Sequence, residues 1–379
     1  MDLRVRKRGG REARSELNNN VMDVLSLLCR KALFGCLAII SYDPTSVNTH
    51  STTLFSSPLL WGYHNTVTMT QRNPLIPVLP IPVLLDTDIG SDIDDALALA
   101  YLLRQPRCEL VGITTVSGQP QERASLADAV CRAGGREDIP IHAGTSAPLL
   151  TEQNQPYAPQ SAALVSGGWP HREFTPSTAI DFLRETIHAR PGEITLLAIG
   201  PLTNLALLFA LAPEVPCLLK EMVLMGGWFF DRPQPEWNIR CDPHAAAMVF
   251  AAPVPRFTAV GIDVTQQCRM PAADCRRRFA EAGGPLAPVA AFAEVWFRDR
   301  PEITFHDPLA AALIFEPDLC RMEARQISVE LTSPLRPGQT YIDWDDRHNP
   351  DPDPTRPHHL AASVDAAAFF AHYFSVVTS

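Results

Sequence analysis

From Pro77 onward, short apolar runs alternate with stretches whose apolar residues recur at helical spacing. The apolar runs predict strands over Val83–Asp86, Leu110–Val116, Ile194–Ile199, Glu221–Met225 and Phe257–Val264. The helical spacing predicts helices over residues 95–104, 122–133, 177–188, 203–212, 242–251, 271–282, 285–298, 308–315 and 364–374. Strands without polar alternation are buried on both faces. The pattern therefore predicts an α/β chain with a Rossmann-like, mostly parallel central sheet and helices on both sides. No internal repeat is visible, and the Pro-rich Asn349–Pro357 reads as a surface loop before the last helix.

The first 76 residues break this rhythm. Asn18-Asn-Asn20 and the Ser/Thr-rich Thr45–Ser57 read as loop or disorder, and Val21–Cys36 as one short helix. Residues 1–79 hold nine basic and five acidic side chains, a net of +4, which leaves −14 for the remainder of a chain of net charge −10. The expectation is an N-terminal extension over 1–76, disordered or preceding a translation start at Met69, followed by one domain over 77–379. The apolar Ala32–Ile40 follows a basic leader, but Arg30 and Lys31 interrupt it and Ser41–Pro44 is a poor cleavage site, which argues against secretion. No apolar stretch reaches the ~20 residues a bilayer span needs. The acidic balance argues against nucleic acid as a partner. Nine scattered cysteines without a CxxC pair suit a reducing, cytoplasmic setting, with Cys241 of interest because it lies inside a motif described below.

Between the first strand and the first helix, Asp86, Asp88, Asp92, Asp94 and Asp95 fall within ten residues. Such a concentration of charge at a strand end is unfavourable unless a cation sits among the acids, and a hard divalent ion takes carboxylate oxygens. The tip of a strand in an α/β sheet is also where ligands bind. One or two of the acids can be explained as helix caps, but five cannot. An EF-hand is excluded, because counting from Asp86 puts Gly90 at the fifth position instead of the sixth. A phosphatase-like Asp-x-Asp nucleophile stays open, although it leaves Asp94 and Asp95 without a task.

Four further segments stand at strand-to-helix turns. They are Gly112-Ile-Thr-Thr-Val-Ser-Gly118-Gln119, Leu197-Ala-Ile199-Gly-Pro-Leu-Thr203-Asn204, Met225-Gly-Gly227 with Glu236-Trp-Asn238-Ile-Arg-Cys-Asp242, and Thr304-Phe-His306-Asp307-Pro308. Read on their own, Thr203 and Asn204 are simplest as helix caps, and Asp307 is a reasonable N-cap with Pro308 at N1, a role compatible with a ligand role. Gly338-Gln-Thr340 reads as a structural strand, and His142 as a structural histidine; His171 has the wrong context for a site residue. In this order, from about Pro82 to Phe374, the segments resemble the inosine–uridine-preferring nucleoside hydrolase family. The resemblance departs at four places. The acidic turn is two residues longer than the shortest family form, Gln119 replaces an Asn, Trp237 replaces a Phe, and the Trp228–Pro235 loop lacks an Asn that others carry.

That resemblance implies hydrolysis of the N-glycosidic bond of a ribonucleoside, a small-molecule substrate, to free base and ribose. It implies Ca²⁺ held by Asp88, Asp95, Asp307 and the Ile199 carbonyl, with a bound water deprotonated by Asp88 as general base. Asp94, Gln119, Met225, Glu236 and Asn238 are the implied sugar contacts, with Asp86 behind the cluster. His306 is the implied contact to the leaving base and the candidate to assist its departure. Homodimers or homotetramers are common in the family. The rival readings are a metal-dependent phosphohydrolase, for which the scarcity of lysine between Lys31 and Lys220 is unfavourable, and a non-catalytic ribosyl-binding relative.

Overall fold

Eight strands form the central sheet of the computed structural model, which describes residues 79–230, 233–342 and 357–379. In chain order the sheet strands are β1 (Ile81–Thr87), β2 (Cys108–Thr115), β3 (Ile141–Ala143), β4 (Thr195–Ala198), β5 (Glu221–Met225), β6 (Phe257–Val260), β9 (Cys320–Arg325) and β12 (His358–Val364). Their spatial order is β3-β2-β1-β4-β5-β6-β12-β9, all parallel except the edge strand β9. Two small antiparallel pairs lie outside the sheet: β7 (Arg269–Pro271) with β8 (Glu302–Thr304), and β10 (Ile327–Val329) with β11 (Thr340–Ile342).

Alternation along β1 explains the layers. Val83 and Leu85 enter one core together with α1 (Asp94–Arg104), α2 (Pro120–Ala133), α11 (Leu286–Trp296), α12 (His306–Leu313) and α13 (Ala366–Val377). Leu84 enters the other core with α4 (Ala179–Ala189), α5 (Thr203–Leu211) and α8 (Pro243–Phe250). All three leucine and valine side chains are fully buried, as a doubly covered parallel strand requires. The predicted α/β class therefore holds.

The chain leaves β1 for β2 and β3, then returns to place β4 on the other side of β1. The strand order reverses there, the place where open α/β sheets bind ligands outside the carboxyl ends of their strands. The acidic turn 88–93 leaves β1 at this point, and Ile199–Leu202 leaves β4.

Element boundaries depart from the sequence pattern at informative places. The strand expected over Phe257–Val264 ends at Val260; Gly261 turns the chain into the short α9 (Ile262–Thr265), and Asp263 accepts a bond from the Phe230 N–H at 3.0 Å. The polar β9 and β12 were not signalled by any apolar run. β12 is recruited by tertiary pairing to β6, and the charged Cys-Arg-Met-Glu-Ala-Arg sequence of β9 suits an edge. Short α3 (Ser161–Ser166), α6 (Val215–Leu218) and α7 (Trp237–Cys241) join the elements that the pattern does mark, and α10 (Ala272–Ala282) follows β7. The expected extension over 1–76, the helix over Val21–Cys36 and all but Pro357 of the proline-rich loop lie outside the described residues. Among the described residues no helix is long and apolar enough to cross a membrane.

Candidate active site

Asp86, the penultimate residue of β1, is level with Thr114 of β2 and Ala198 of β4. Its Oδ1 accepts from Thr114 Oγ1 at 2.5 Å and Asn204 Nδ2 at 2.8 Å, while the fully buried Oδ2 has no partner. Burial pushes this carboxyl up to about 7, against the opposing pull of those two bonds. Asp86 thus stands behind the site, as its place in the motif implies.

Ahead of it, two helix N-termini converge. Asp94 and Asp95 occupy the first turn of α1, and Asp307 the first turn of α12, where backbone N–H groups favour negative charge. One carboxylate oxygen from each of the three lies within 4.8 Å of the other two. Asp94 Oδ2 accepts from the Asp307 N–H at 3.1 Å, and Asp95 Oδ1 from Thr87 Oγ1 at 2.5 Å. All three side chains are at most 4% exposed. Burial, and then the charges of the neighbouring aspartates, hold all three well above the usual carboxylate range. Three converging hard oxygen donors that raise one another's pKa fit a divalent cation, whose charge reverses that logic.

Asp88 lies beside this trio, with its charge acting on both Asp95 and Asp307. Its Oδ2 accepts from Gln155 Nε2 at 2.6 Å. Oδ1 abuts Gly200, where an added Cβ would sit 2.8 Å from it, so the Ile199–Pro201 turn can approach only as glycine. The Ile199 carbonyl accepts from Asn238 Nδ2 at 3.1 Å, which ties the motif after β5 to the turn after β4. That same amide donates to the Met225 carbonyl at 3.2 Å. Glu236 caps α7: its carboxylate takes the N–H groups of Gly227, Asn238 and Ile239 at 3.0–3.2 Å.

The structure brings Asp94, Asp95 and Asp307 together with Asp88 near them, joins Ile199, Met225, Glu236 and Asn238 by hydrogen bonds, and sets His306 next to Asp307 in the first turn of α12. Asp94 stands with the cation-sized trio, and Asp88 beside it. Gln119 Oε1 accepts from the Ala158 N–H at 2.9 Å, holding the loop between β3 and α3. His306 is half-buried, and its Nδ1 shares a 2.5 Å bond with Thr265 Oγ1. Desolvation, then the Arg269 charge, pushes its pKa down to about 4, so the ring is neutral at neutral pH.

Three simple cap readings need correction. Thr203 and Asn204 do not cap α5; Thr203 Oγ1 donates to Asp242 Oδ2 at 2.8 Å, and Asn204 holds Asp86. Asp307 does not cap α12, which begins one residue earlier at His306, so its carboxylate is left for the site. Asp242 does cap α8, by accepting from the Ala245 N–H at 3.0 Å. His142 is structural, bonded to Thr178 and stacked on Phe182. Burial pushes the Cys241 thiol up to about 12, which leaves it a neutral core group.

Arg123 and Gln155 are the residues that sequence reasoning missed. Arg123 is 0% exposed, and its guanidinium donates to the carbonyls of Asp88, Ile89, Ser117 and Tyr157 and to Ser91 Oγ. A signal existed, because Arg123 shares the α2 face of Ala127 and Val130 at i, i+4 and i+7. Gln155 lies in a polar, aperiodic run with no such signal.

The chain matches the sequence signature of the family described as "Inosine-uridine preferring nucleoside hydrolase" over residues 83–371. It belongs to that family. With it the chain joins the N-glycosyl hydrolases. It is 30% identical over 285 residues to the "Pyrimidine-specific ribonucleoside hydrolase RihA" of Citrobacter koseri, an alignment covering 70% of this chain and 89% of that one. It is likewise 30% identical to "Uridine nucleosidase 1" of Arabidopsis thaliana, covering 69% and 81%. A solved "Purine-Preferring Ribonucleoside Hydrolase from Gardnerella vaginalis" superposes with a TM-score of 0.67 at 26% identity, over 78% of this chain and 98% of that one. Relatives named for pyrimidine and for purine substrates thus both resemble this nucleoside hydrolase.

Proposed function

We propose that the protein hydrolyses ribonucleosides to free base and ribose, with Asp88 as general base and Ca²⁺ as the metal. The observation that carries this reading is the convergence of Asp94, Asp95 and Asp307 beside Asp88 at the switch point of the sheet. Asp88, Asp95, Asp307 and the Ile199 carbonyl would hold the ion, and Asp94 keeps one oxygen for the ion or for a ribose hydroxyl. When bound, Ca²⁺ orients a water and lowers its pKa.

The remaining work falls to side chains. Asp88 removes the proton from the attacking water. The surrounding carboxylates stabilise positive charge that grows on the ribosyl ring as the bond to the base breaks. Water attack on the face opposite the base inverts the anomeric carbon, as in other direct displacements. Glu236 accepts three backbone N–H groups, one on Oε1 and two on Oε2, so Oε1 keeps a lone pair for a sugar hydroxyl while the carboxylate fixes Gly227 and Asn238. Asn238 has committed Nδ2 to two carbonyls, and its amide oxygen is the group to offer a sugar hydroxyl. His306 meets the departing base as a neutral imidazole that donates a hydrogen bond. Gln119 contributes by anchoring the loop at Ala158.

A phosphohydrolase reading lacks support. Lys220, the one lysine among the described residues, is exposed just before β5, at the end of the sheet away from the aspartates.

The test is a panel of purine and pyrimidine ribonucleosides incubated with the protein, with and without a chelator, scoring free base and ribose. Release that stops on chelation and returns with Ca²⁺ is expected. Asp88→Ala should lower kcat by about 10²–10⁴-fold, the usual contribution of a general base. Silence toward every nucleoside with metal present overturns the activity, and full activity in Asp88→Ala overturns the assignment of the base.

A further inference from the structure

Gln155 belongs to none of the motifs, yet it touches the residue on which the proposed chemistry depends. It is 5% exposed, and both ends of its amide are engaged. Nε2 donates to Asp88 Oδ2 at 2.6 Å and to Ser91 Oγ at 2.7 Å. Oε1 accepts from the indole Nε1 of Trp237 at 2.8 Å. An indole N–H can only donate, so Trp237 decides which end of the amide is oxygen and turns the NH₂ toward the carboxylate. With the amide reversed, an oxygen would face Asp88.

The loop that carries Gln155 is fastened on several sides. Arg123 Nη2 donates to the Tyr157 carbonyl at 3.1 Å, and Gln160 Nε2 to the Asp92 carbonyl at 2.9 Å. The Gln160 N–H donates to the Gly90 carbonyl at 3.1 Å. At Gly118, φ is +59° and any Cβ would collide with the Gln155 carbonyl. The docking points Gly90, Ser91 and Asp92 belong to the acidic turn, which serves as the platform for this loop. Trp237, 44% exposed with Arg240 stacked 4.8 Å from its ring, is the part of the chain of contacts that opens to solvent.

We propose that Trp237 and Gln155 form a positioning relay that fixes the rotation of the Asp88 carboxylate, holding Oδ2 and leaving Oδ1, beside Gly200, to serve the reaction. The inference rests on the reading of Asp88 as general base. Gln155 acts through Asp88 and is a positioning residue. A hydrogen bond to a charged group contributes about 1.5–3 kcal/mol, so misplacing the base should lower kcat by about tenfold or more.

Two variants remove the bonds without adding a polar group: Gln155→Leu and Trp237→Phe. Gln155→Leu should lower kcat by about tenfold or more with KM little changed, which marks a contribution made in the transition state. Trp237→Phe should act in the same direction but less. The double variant should be no worse than Gln155→Leu, because residues of one relay are not additive. A rise in KM at constant kcat, or additive losses, overturns the relay. A second readout needs no turnover: the ¹H–¹⁵N resonance of the Trp237 indole, assigned by its disappearance in Trp237→Phe. It should shift in Gln155→Leu and also in Asp88→Asn, which does not touch Trp237. An indole resonance that ignores Asp88→Asn overturns the relay. If the wild-type protein cleaves no nucleoside, the proposed function fails while the resonance still decides the relay.

Discussion

Asp128 in the middle of α2 and the aspartates at the end of β1 are buried alike and electrostatically opposite. Asp128 is 0% exposed, but it accepts from Arg132 Nε at 2.8 Å, from Arg172 Nε at 2.8 Å and from the Arg172 N–H at 2.7 Å. Burial pushes its pKa up, and those bonds outweigh burial, so the carboxyl is held below the usual range. Asp94 accepts one backbone N–H and Asp95 one hydroxyl, but no basic side chain is hydrogen-bonded to Asp94, Asp95 or Asp307 among the described residues, and all three are held well above that range. The buried cation nearest them, Arg123, aims its donors at carbonyls and at Ser91 instead of at carboxylate oxygens. Asp128 is completed by the chain and holds the fold together. The aspartate cup is left incomplete by the chain and is completed by what binds.

The sharpest way to break this contrast is to neutralise one member of the cup. Asp307→Asn removes a charge from a mutually repelling trio, so the chelated protein should keep or gain thermal stability. Nucleoside cleavage should nevertheless fall by about 10³-fold, because a metal's charge stabilisation contributes several kcal/mol. Thermal melts in chelator and initial rates in Ca²⁺ check both halves. A chelated variant much less stable than wild type would mean that the cup is structural, like Asp128.

The ion itself gives the next effect. Ca²⁺ at about 100 times its Kd should stabilise the wild-type fold by roughly 2.7 kcal/mol. The increment should largely vanish in Asp307→Asn and persist in a variant of Asp128. Calorimetric melts at several Ca²⁺ concentrations measure it, and an equal increment in Asp307→Asn removes that residue from the metal site.

Asp128→Ala should show the reverse signature, a loss of roughly 1–3 kcal/mol of stability with cleavage per folded molecule unchanged. The half-exposed arginines place the effect toward the lower end through solvent screening. The pH dependence follows from the depressed carboxyl. Its contribution is full above the unfolded value near ~4 and is lost as pH falls through the lower folded value. Wild type and Asp128→Ala should therefore converge in stability on acidification, as urea melts across that range would show. A gap that stays constant removes the ion pairs as the cause.

The two regions also differ in how far they could be read in the sequence. The cup was legible because its carboxylates follow an apolar strand and crowd a helix start, a pattern with few physical explanations. The doubly covered sheet was legible for the same reason, since β1, β2, β4, β5 and β6 are apolar on both faces. The end of the sheet formed by β12 and the edge strand β9 was not, because pairing partners far apart in the chain define it. Asn204 looked like a helix cap because short polar residues at helix starts usually are; only the adjacency of β1 and β4 reveals Asp86 as its partner. Gln155 was invisible for a stronger reason. Its role depends on where an aperiodic loop docks, and that is decided by Arg123, Gln160 and the longer acidic turn together.

The smallest predicted effect concerns the uncharged neighbour of the cup, His306. Thr265 carries one hydroxyl proton. Its 2.5 Å contact to His306 Nδ1 is much shorter than its 3.4 Å contact to the Ile262 carbonyl. If the hydroxyl donates to Nδ1, the ring proton sits on Nε2, the tautomer that can hydrogen-bond a departing base. With the pKa pushed down to about 4, the proposed role of the ring is that of a hydrogen-bond donor, not of a pre-charged acid. Thr265→Val keeps the shape and releases the tautomer. It should cost roughly 1 kcal/mol, a several-fold loss of kcat, on ordinary nucleosides. An activated riboside whose leaving group needs no proton, such as a nitrophenyl riboside, should be cleaved at the wild-type rate. Equal losses on both substrates would show that Thr265 supports the cup itself and would move His306 from the leaving base to the structural side of the comparison.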